Sequence, residues 1–332
     1  MVDYRYMMLT QKSLLLAAFV SLVGCSSAKT ADVTPTPDLS STDPLPPPPP
    51  EKGFQMGMEI DSPAHSETWK CQMGTLPIDG PRAVNAVEHV QSAVVHHMDI
   101  IVIATSGVDL PDGIYDCADI YKDHPKLMEE VILYAAQKPQ DKWTFPKGTA
   151  AMVPGPLRVM YEIHHVNGSD QPMHLFSKVN AYSVSTDEVT KTVWGGPVRN
   201  RNLTIPPKSD VTEVSRCVFD KDVDILIMSM HTHKLGRDMT ALRFDGTATG
   251  EQVYKNEDWA QPAVKSFTDA PLHVAKGQGF EFRCHYANPS DKLVNWGFKA
   301  DDEMCNLALV YTPGDSAAKC TQVYQSGGKI IE

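Results

Sequence analysis

Basic charge is in short supply in this chain of 332 residues. Lys and Arg number 30 against 41 Asp and Glu, a formal net charge of −11. No basic patch offsets that balance, which argues against nucleic acid as the main partner. Cys-x-x-Cys is absent, which excludes the usual sulfur-based zinc site and the dithiol redox motif. His-Glu-x-x-His is absent too, and no carboxylate stands in an obvious base position, so a zinc-dependent hydrolase is the weakest of the metal readings. Beyond the N-terminus no apolar run is long enough to span a bilayer.

The N-terminus is different. Arg5 and Lys12 precede the apolar stretch "SLLLAAFVSLVG", the layout of an export signal. The stretch ends in Leu22-Val23-Gly24-Cys25, which resembles a bacterial lipobox with Cys25 as the lipidated first residue of the mature chain. Residues 1–25 are therefore read as a lipoprotein signal. The expected product is exported and lipid-anchored, at the bacterial outer membrane or cell surface. Residues 26–53 are rich in Ser, Thr, Asp and Pro, with five prolines at 46–50. That composition cannot bury a core, and residues 26–53 are expected to form a disordered, semi-rigid spacer. Cys25 aside, six cysteines remain, an even number that in an exported chain suggests three disulfides.

From residue 54 onward, short runs rich in Val, Ile, Leu, Phe and Tyr alternate with Pro, Gly, Asp and Asn. "VVHHMDIIVIAT", "LRVMYEIHHV", "VDILIMSMHTH", "GFEFRCHYA" and "NLALVYT" are examples. There is no internal repeat at fixed period. The pattern predicts an all-β protein built of β-sandwiches. One segment, "HPKLMEEVILYAAQK", carries the spacing of a short amphipathic helix. The loop chemistry of residues 195–210, with Pro206-Pro207, marks a domain boundary, giving domains at 54–200 and 201–332.

Twelve histidines are present, and they cluster. In "DILIMSMHTHKLGRD", His231 and His233 follow an apolar strand-like run. Positions i and i+2 of a strand share a face, so both imidazoles can converge on one metal ion. Such a pair alone fits partly buried or solvated histidines equally well. His96-His97 and His164-His165 are adjacent pairs, whose members point to opposite faces of an ideal strand. They could share an ion only at a strand end or bulge. Met304, in "DEMC", is by itself ordinary core packing, but two imidazoles with a thioether form a soft-leaning donor set that favours copper over zinc. Cys284 and Cys305 are well placed for a bridge that would fix the strand bearing Met304.

Taken in order, "VVHHM", "YEIHHVN", "HTHKLGR" and "DEMC" resemble the copper type II, ascorbate-dependent monooxygenases, which include the peptidylglycine α-hydroxylating and dopamine β-monooxygenases. "TWKCQMGTLP" at 68–77 also looks like that family's first strand, and the likeness runs from about 60 to 325. The resemblance implies two tandem antiparallel β-sandwich, jelly-roll-like domains with one copper each. It assigns His96, His97 and His164 to an electron-transfer copper, with His165 one residue away as the other choice. It assigns His231, His233 and Met304 to an oxygen-binding copper, where they would be the catalytic set. It implies O2, a small-molecule substrate, and ascorbate or another one-electron donor as co-substrate. It suggests Cys217–Cys320, leaving Cys71–Cys117. Two of three substrate anchors of the peptide-amidating members are absent: Ser229 stands where they carry an arginine, and Ala308 where they carry a tyrosine, while the intervening asparagine is kept as Asn306. Those losses argue against C-terminal glycine peptides as substrates and keep open a non-catalytic copper-binding lipoprotein for sequestration or delivery.

Overall fold

The computed structural model describes residues 43–103, 107–129, 131–299, 301–314 and 319–327. The expected signal and lipobox lie outside the described residues. The first half runs β1 (Gly53–Ser62), β2 (Ser66–Thr75), β3 (Arg82–Gln91), β4 (His97–Val102), β5 (Gly113–Asp116), α1 (Cys117–Asp123), β6 (Ile132–Ala136), β7 (Gln140–Thr144), β8 (Thr149–Val153), β9 (Arg158–Asn167), β10 (Met173–Val184) and β11 (Lys191–Thr192). The second runs β12 (Trp194–Arg199), β13 (Thr204–Ile205), β14 (Ser209–Phe219), β15 (Val223–His231), β16 (Gly236–Phe244), β17 (Thr249–Asn256), β18 (Lys265–Ser266), β19 (Leu272–Val274), β20 (Gly279–Asn288), β21 (Val294–Asn295), β22 (Asn306–Thr312) and β23 (Cys320–Gln325). The protein is all-β, as its alternating runs predict. Among the described residues no helix is long and apolar enough to cross a membrane.

Each half contributes two main sheets. In the first, one sheet has the order β1-β10-β3-β8-β11, with β7 also on β3, and the other β5-β2-β9-β4-β6. One core lies between them: Met58, Val87 and Val179 from the first sheet meet Met98, Ile100, Tyr161 and Ile163 from the second. In the second half the orders are β12-β22-β15-β18, with β19 on β15, and β17-β16-β20-β14-β23. Met228, Met230, Leu307 and Leu309 pack there against Phe280, Phe282 and Tyr286.

Two strands, β9 and β15, position the clustered histidines. β9 is central and buried on both faces. Tyr161 and Ile163 enter the core, so period-2 alternation turns Met160, Glu162 and His164 to the opposite face. β15 behaves alike: Met228 and Met230 point inward, which puts Ile227, Ser229 and His231 on the outer face.

All three expected disulfides form: Cys71–Cys117, Cys217–Cys320 and Cys284–Cys305. Three local expectations are corrected. The segment 124–138 is not an amphipathic helix but a 3₁₀ turn, Pro125–Glu129, followed by β6 paired to β4. Tertiary pairing overrides its helical spacing, because Ile132, Tyr134 and Ala136 also alternate inward while Leu133 is exposed. The α-helix lies just upstream, where the Asp116 side chain accepts the Ala118 N–H as an N-cap. Second, Gly195-Gly196-Pro197 reads as loop but forms β12, which pairs with β22 of the second half. A proline is tolerated there because β12 is an edge strand. Third, the end of the expected spacer is docked. Leu45 is buried, the Gln55 side chain donates to Leu45 O (2.6 Å), and Asn180 donates to Pro46 O (2.8 Å). Extended proline-rich backbone has no internal hydrogen bonds, so its carbonyls are free to accept from side-chain amides.

His285 on β20 ties the neighbouring strands, with its ring nitrogens 2.7 Å from Asp210 and 2.8 Å from Asp238. Asp210, then Asp238, raises its pKa above the usual 6.5. A raised folded-state pKa gives stability that is complete below the unfolded value and is lost as pH rises through the folded one. The urea-unfolding difference between wild type and His285→Gln is therefore expected to shrink as pH rises from about 6 to about 9, and a pH-independent difference would refute this role.

Candidate metal centres

His97 opens β4 directly opposite His164 of β9, so both rings stand on the outer face of their sheet. His96 precedes β4, where alternation no longer applies, and its backbone N–H donates to His164 O (3.0 Å). This is the strand-end arrangement an adjacent pair needs to share an ion. Ring centroids lie 5.2 Å apart for His96–His97, 5.7 Å for His96–His164 and 5.1 Å for His97–His164. One ring nitrogen from each falls within 4.8 Å of the others. His165 faces the opposite way and donates Nδ1–H to Val94 O (2.6 Å). The structure thus brings His164, not His165, to His96 and His97.

The rings are held from behind by carboxylates. His97 Nδ1 lies 2.9 Å from Asp99 Oδ2, and His164 Nε2 lies 2.8 Å from Glu67 Oε1. That leaves His97 Nε2 and His164 Nδ1 facing each other at 3.3 Å. Which of the two nitrogens carries a hydrogen depends on the tautomers of the rings. Positive charge between them is favoured by the carboxylates behind both rings. Burial opposes a charged His97, but Asp99 and Glu162 outweigh it, and its pKa is raised. A shared proton can occupy this position, and so can a metal cation. Burial, then the neighbouring imidazoles, lowers His96 to about 3 and His164 to about 2, so both keep their lone pairs at neutral pH. Neutral imidazoles with carboxylates behind them are what a histidine-bound metal requires. Glu162 is buried, accepts from Trp69 Nε1 (2.6 Å) and Tyr121 OH (2.7 Å), and has a pKa raised by burial and then by Asp99.

At the second cluster, His231 ends β15 and His233 follows two residues later, with ring centroids 5.1 Å apart. His231 Nδ1–H donates to Gln137 Oε1 (3.0 Å), and His233 Nδ1–H donates to Asp302 O (2.9 Å). Both rings are left with Nε2. Burial and then His233 hold the His231 pKa well below its usual value, and burial lowers His233. Gly236 of "HTHKLGR" is required by close approach, because a Cβ there would strike the Thr232 side chain.

Met304 is buried and pinned. Its backbone carbonyl accepts from Tyr286 OH (2.6 Å), its sulfur accepts from Asn306 Nδ2 (3.2 Å), and Cys305 beside it is bridged to Cys284. Glu303, fully buried, gathers the loop: its carboxylate accepts the backbone N–H groups of His233 (2.8 Å), Leu235 (2.6 Å) and Met304 (3.3 Å). Burial pushes its pKa up to about 7 against those three donors.

The two clusters meet across the halves. The His96 ring lies 5.7 Å from Trp259, Gln137 reaches His231, and His97 and His96 both act on the His231 charge. Sequence reading missed Asp99, Glu162, Glu67, Gln137 and Glu303. The first two stand two residues from His97 and His164, a same-face spacing that could have revealed them. Gln137 and Glu67 carry no such local signal.

Fold and sites together define an all-β protein with two histidine clusters, one built on each half, the first with ring nitrogens close enough to hold a metal ion. Residues 193–328 match the model of the copper type II ascorbate-dependent monooxygenase C-terminal domain, so the second half of the chain is similar to that domain. Among solved structures, the chain is similar to the major capsid protein P2 from bacteriophage PM2, at 11% identity and a TM-score of 0.31 over 79% of this chain and 98% of that one. A likeness that low bears on neither site nor function.

Glu303→Ala is expected to leave three backbone donors without an acceptor and to lower stability by roughly 3 kcal/mol or more in denaturant unfolding. A loss below about 1 kcal/mol would show that Glu303 does not hold this loop.

Proposed function

We propose that the chain is a copper-dependent monooxygenase that hydroxylates a C–H bond of a small organic substrate, using O2 and a one-electron donor such as ascorbate. In this reading His96, His97 and His164 hold an electron-transfer copper, and His231, His233 and Met304 hold the copper at which substrate reacts. The two halves are read as tandem antiparallel β-sandwiches. The protein is read as an exported lipoprotein of the bacterial envelope, held by Cys25.

The observation that carries the reading is the second cluster: two neutral imidazoles with free Nε2 atoms, in the half that matches the family, beside a loop that pins a buried thioether. Copper, when bound, supplies one-electron cycling and activation of O2. The chain's own residues do the rest. Gln137 and the Asp302 carbonyl fix the tautomers of His231 and His233, so that each offers Nε2. The soft sulfur of Met304 favours Cu(I). Asp99 and Glu67 keep His97 and His164 oriented, with their free nitrogens turned to the same point.

Copper stoichiometry tests the assignment. The chain lacking residues 1–25 is expected to bind two coppers, and His231→Ala to bind about one. One copper or none in the unmutated chain would overturn the two-site reading and favour a non-catalytic copper-binding lipoprotein. Met304→Ile is expected to abolish coupled O2 consumption and hydroxylation while the first copper stays bound. Undiminished hydroxylation would show that Met304 is not a ligand.

A further inference from the structure

Across three strands of one sheet, Arg199 of β12 pairs with Asn306 of β22, and Asn306 pairs with His231 of β15. Residues directly opposite on antiparallel strands project from the same face, so the three side chains form one row. Arg199 stands two strand spacings, roughly 10 Å, from the His231 backbone. The next row, Pro197–Ala308–Ser229, carries no charge.

The Arg199 guanidinium is half-buried and makes no hydrogen bond with any described residue, nor is there a described carboxylate within 4.0 Å of it. Burial and then Arg201 lower its pKa to about 10; Asp99 and Tyr121 of the first half oppose this from a distance. Its row places it on the face of its sheet that carries His231. A guanidinium withdrawn from water without an acceptor is costly, and its fork of donors matches a carboxylate or similar planar anion. Asn306 offers no further donor to such an anion, because its Nδ2 is spent on the Met304 sulfur. In a chain of net charge −11, a general positive field does not gather anions, so a local cation must.

We propose that Arg199 anchors a small organic anion in the row that carries His231. This deepens the monooxygenase reading and rests on it for what the anion does there. Two sources share the chemistry: a substrate bearing a carboxylate, or an anionic reductant such as ascorbate.

The test is binding to the copper-free chain lacking residues 1–25, by calorimetry or ligand-observed NMR. The probes are ascorbate, benzoate and phenylacetate, with benzamide and phenylacetamide as neutral counterparts. At least one anion is expected to bind, at least tenfold more tightly than any neutral counterpart. Arg199→Met should weaken it at least tenfold, and Arg199→Lys less. An effect on ascorbate alone assigns the site to the reductant, and an effect on the carboxylates alone assigns it to the substrate. The proposal is overturned if no anion binds, if the amides bind as well as the acids, or if Arg199→Met leaves binding unchanged while its unfolding midpoint stays at the wild-type value. If Arg199→Met does not fold, Arg199→Lys decides in the same way. Copper uptake is measured separately: anion binding without copper uptake would remove the monooxygenase reading and leave the anchor standing.

Discussion

Two imidazole nitrogens, His97 Nε2 and His164 Nδ1, face each other at 3.3 Å while carboxylates occupy the far side of each ring. The space between the rings suits a shared positive charge, a proton or a metal cation. Much of the first half is organised to maintain it. β9 must be central and paired to β4 in a register that sets His164 against His97. Its other face must be anchored, which Tyr161 and Ile163 do in the core. Glu162, Trp69 and Tyr121 supply a buried, hydrogen-bonded wall on the same face as the two rings.

The second half meets a softer requirement by other means. Its donors come from a strand end and from a loop just ahead of β22, and loops do not hold a geometry unaided. Glu303 turns the loop into a fixed object by accepting three backbone N–H groups, and the Cys284–Cys305 bridge and Tyr286 hold the backbone around Met304. Burying a carboxylate is unfavourable, as its raised pKa shows. The three donors offset that cost, and order near the thioether is what results.

Each cluster completes itself with groups from the opposite half. Gln137, in the β6–β7 connection, orients His231, and Trp259 covers His96. Arg199 belongs to the second half yet senses Asp99 and Tyr121 of the first. The outer faces of β9 and β15 are therefore parts of one chemical environment, although each is built on a separate core.

The sequence by itself determined the all-β class, the candidate ligand types and the clustering of His96, His97, His231 and His233. Period-2 alternation, strand-end position and donor softness are local properties that can be read along a chain. It misread segment 124–138, whose spacing suits both periods, and β12, whose Gly-Gly-Pro is loop chemistry unless an edge position excuses it. Only the tertiary structure decided between His164 and His165, because neighbours on a strand are separated by which face the core takes, and the packing of Ile163 settles that. It alone brought Glu67, Gln137 and Arg199 to the clusters, since strand register and the meeting of two halves join residues that no spacing along the chain relates.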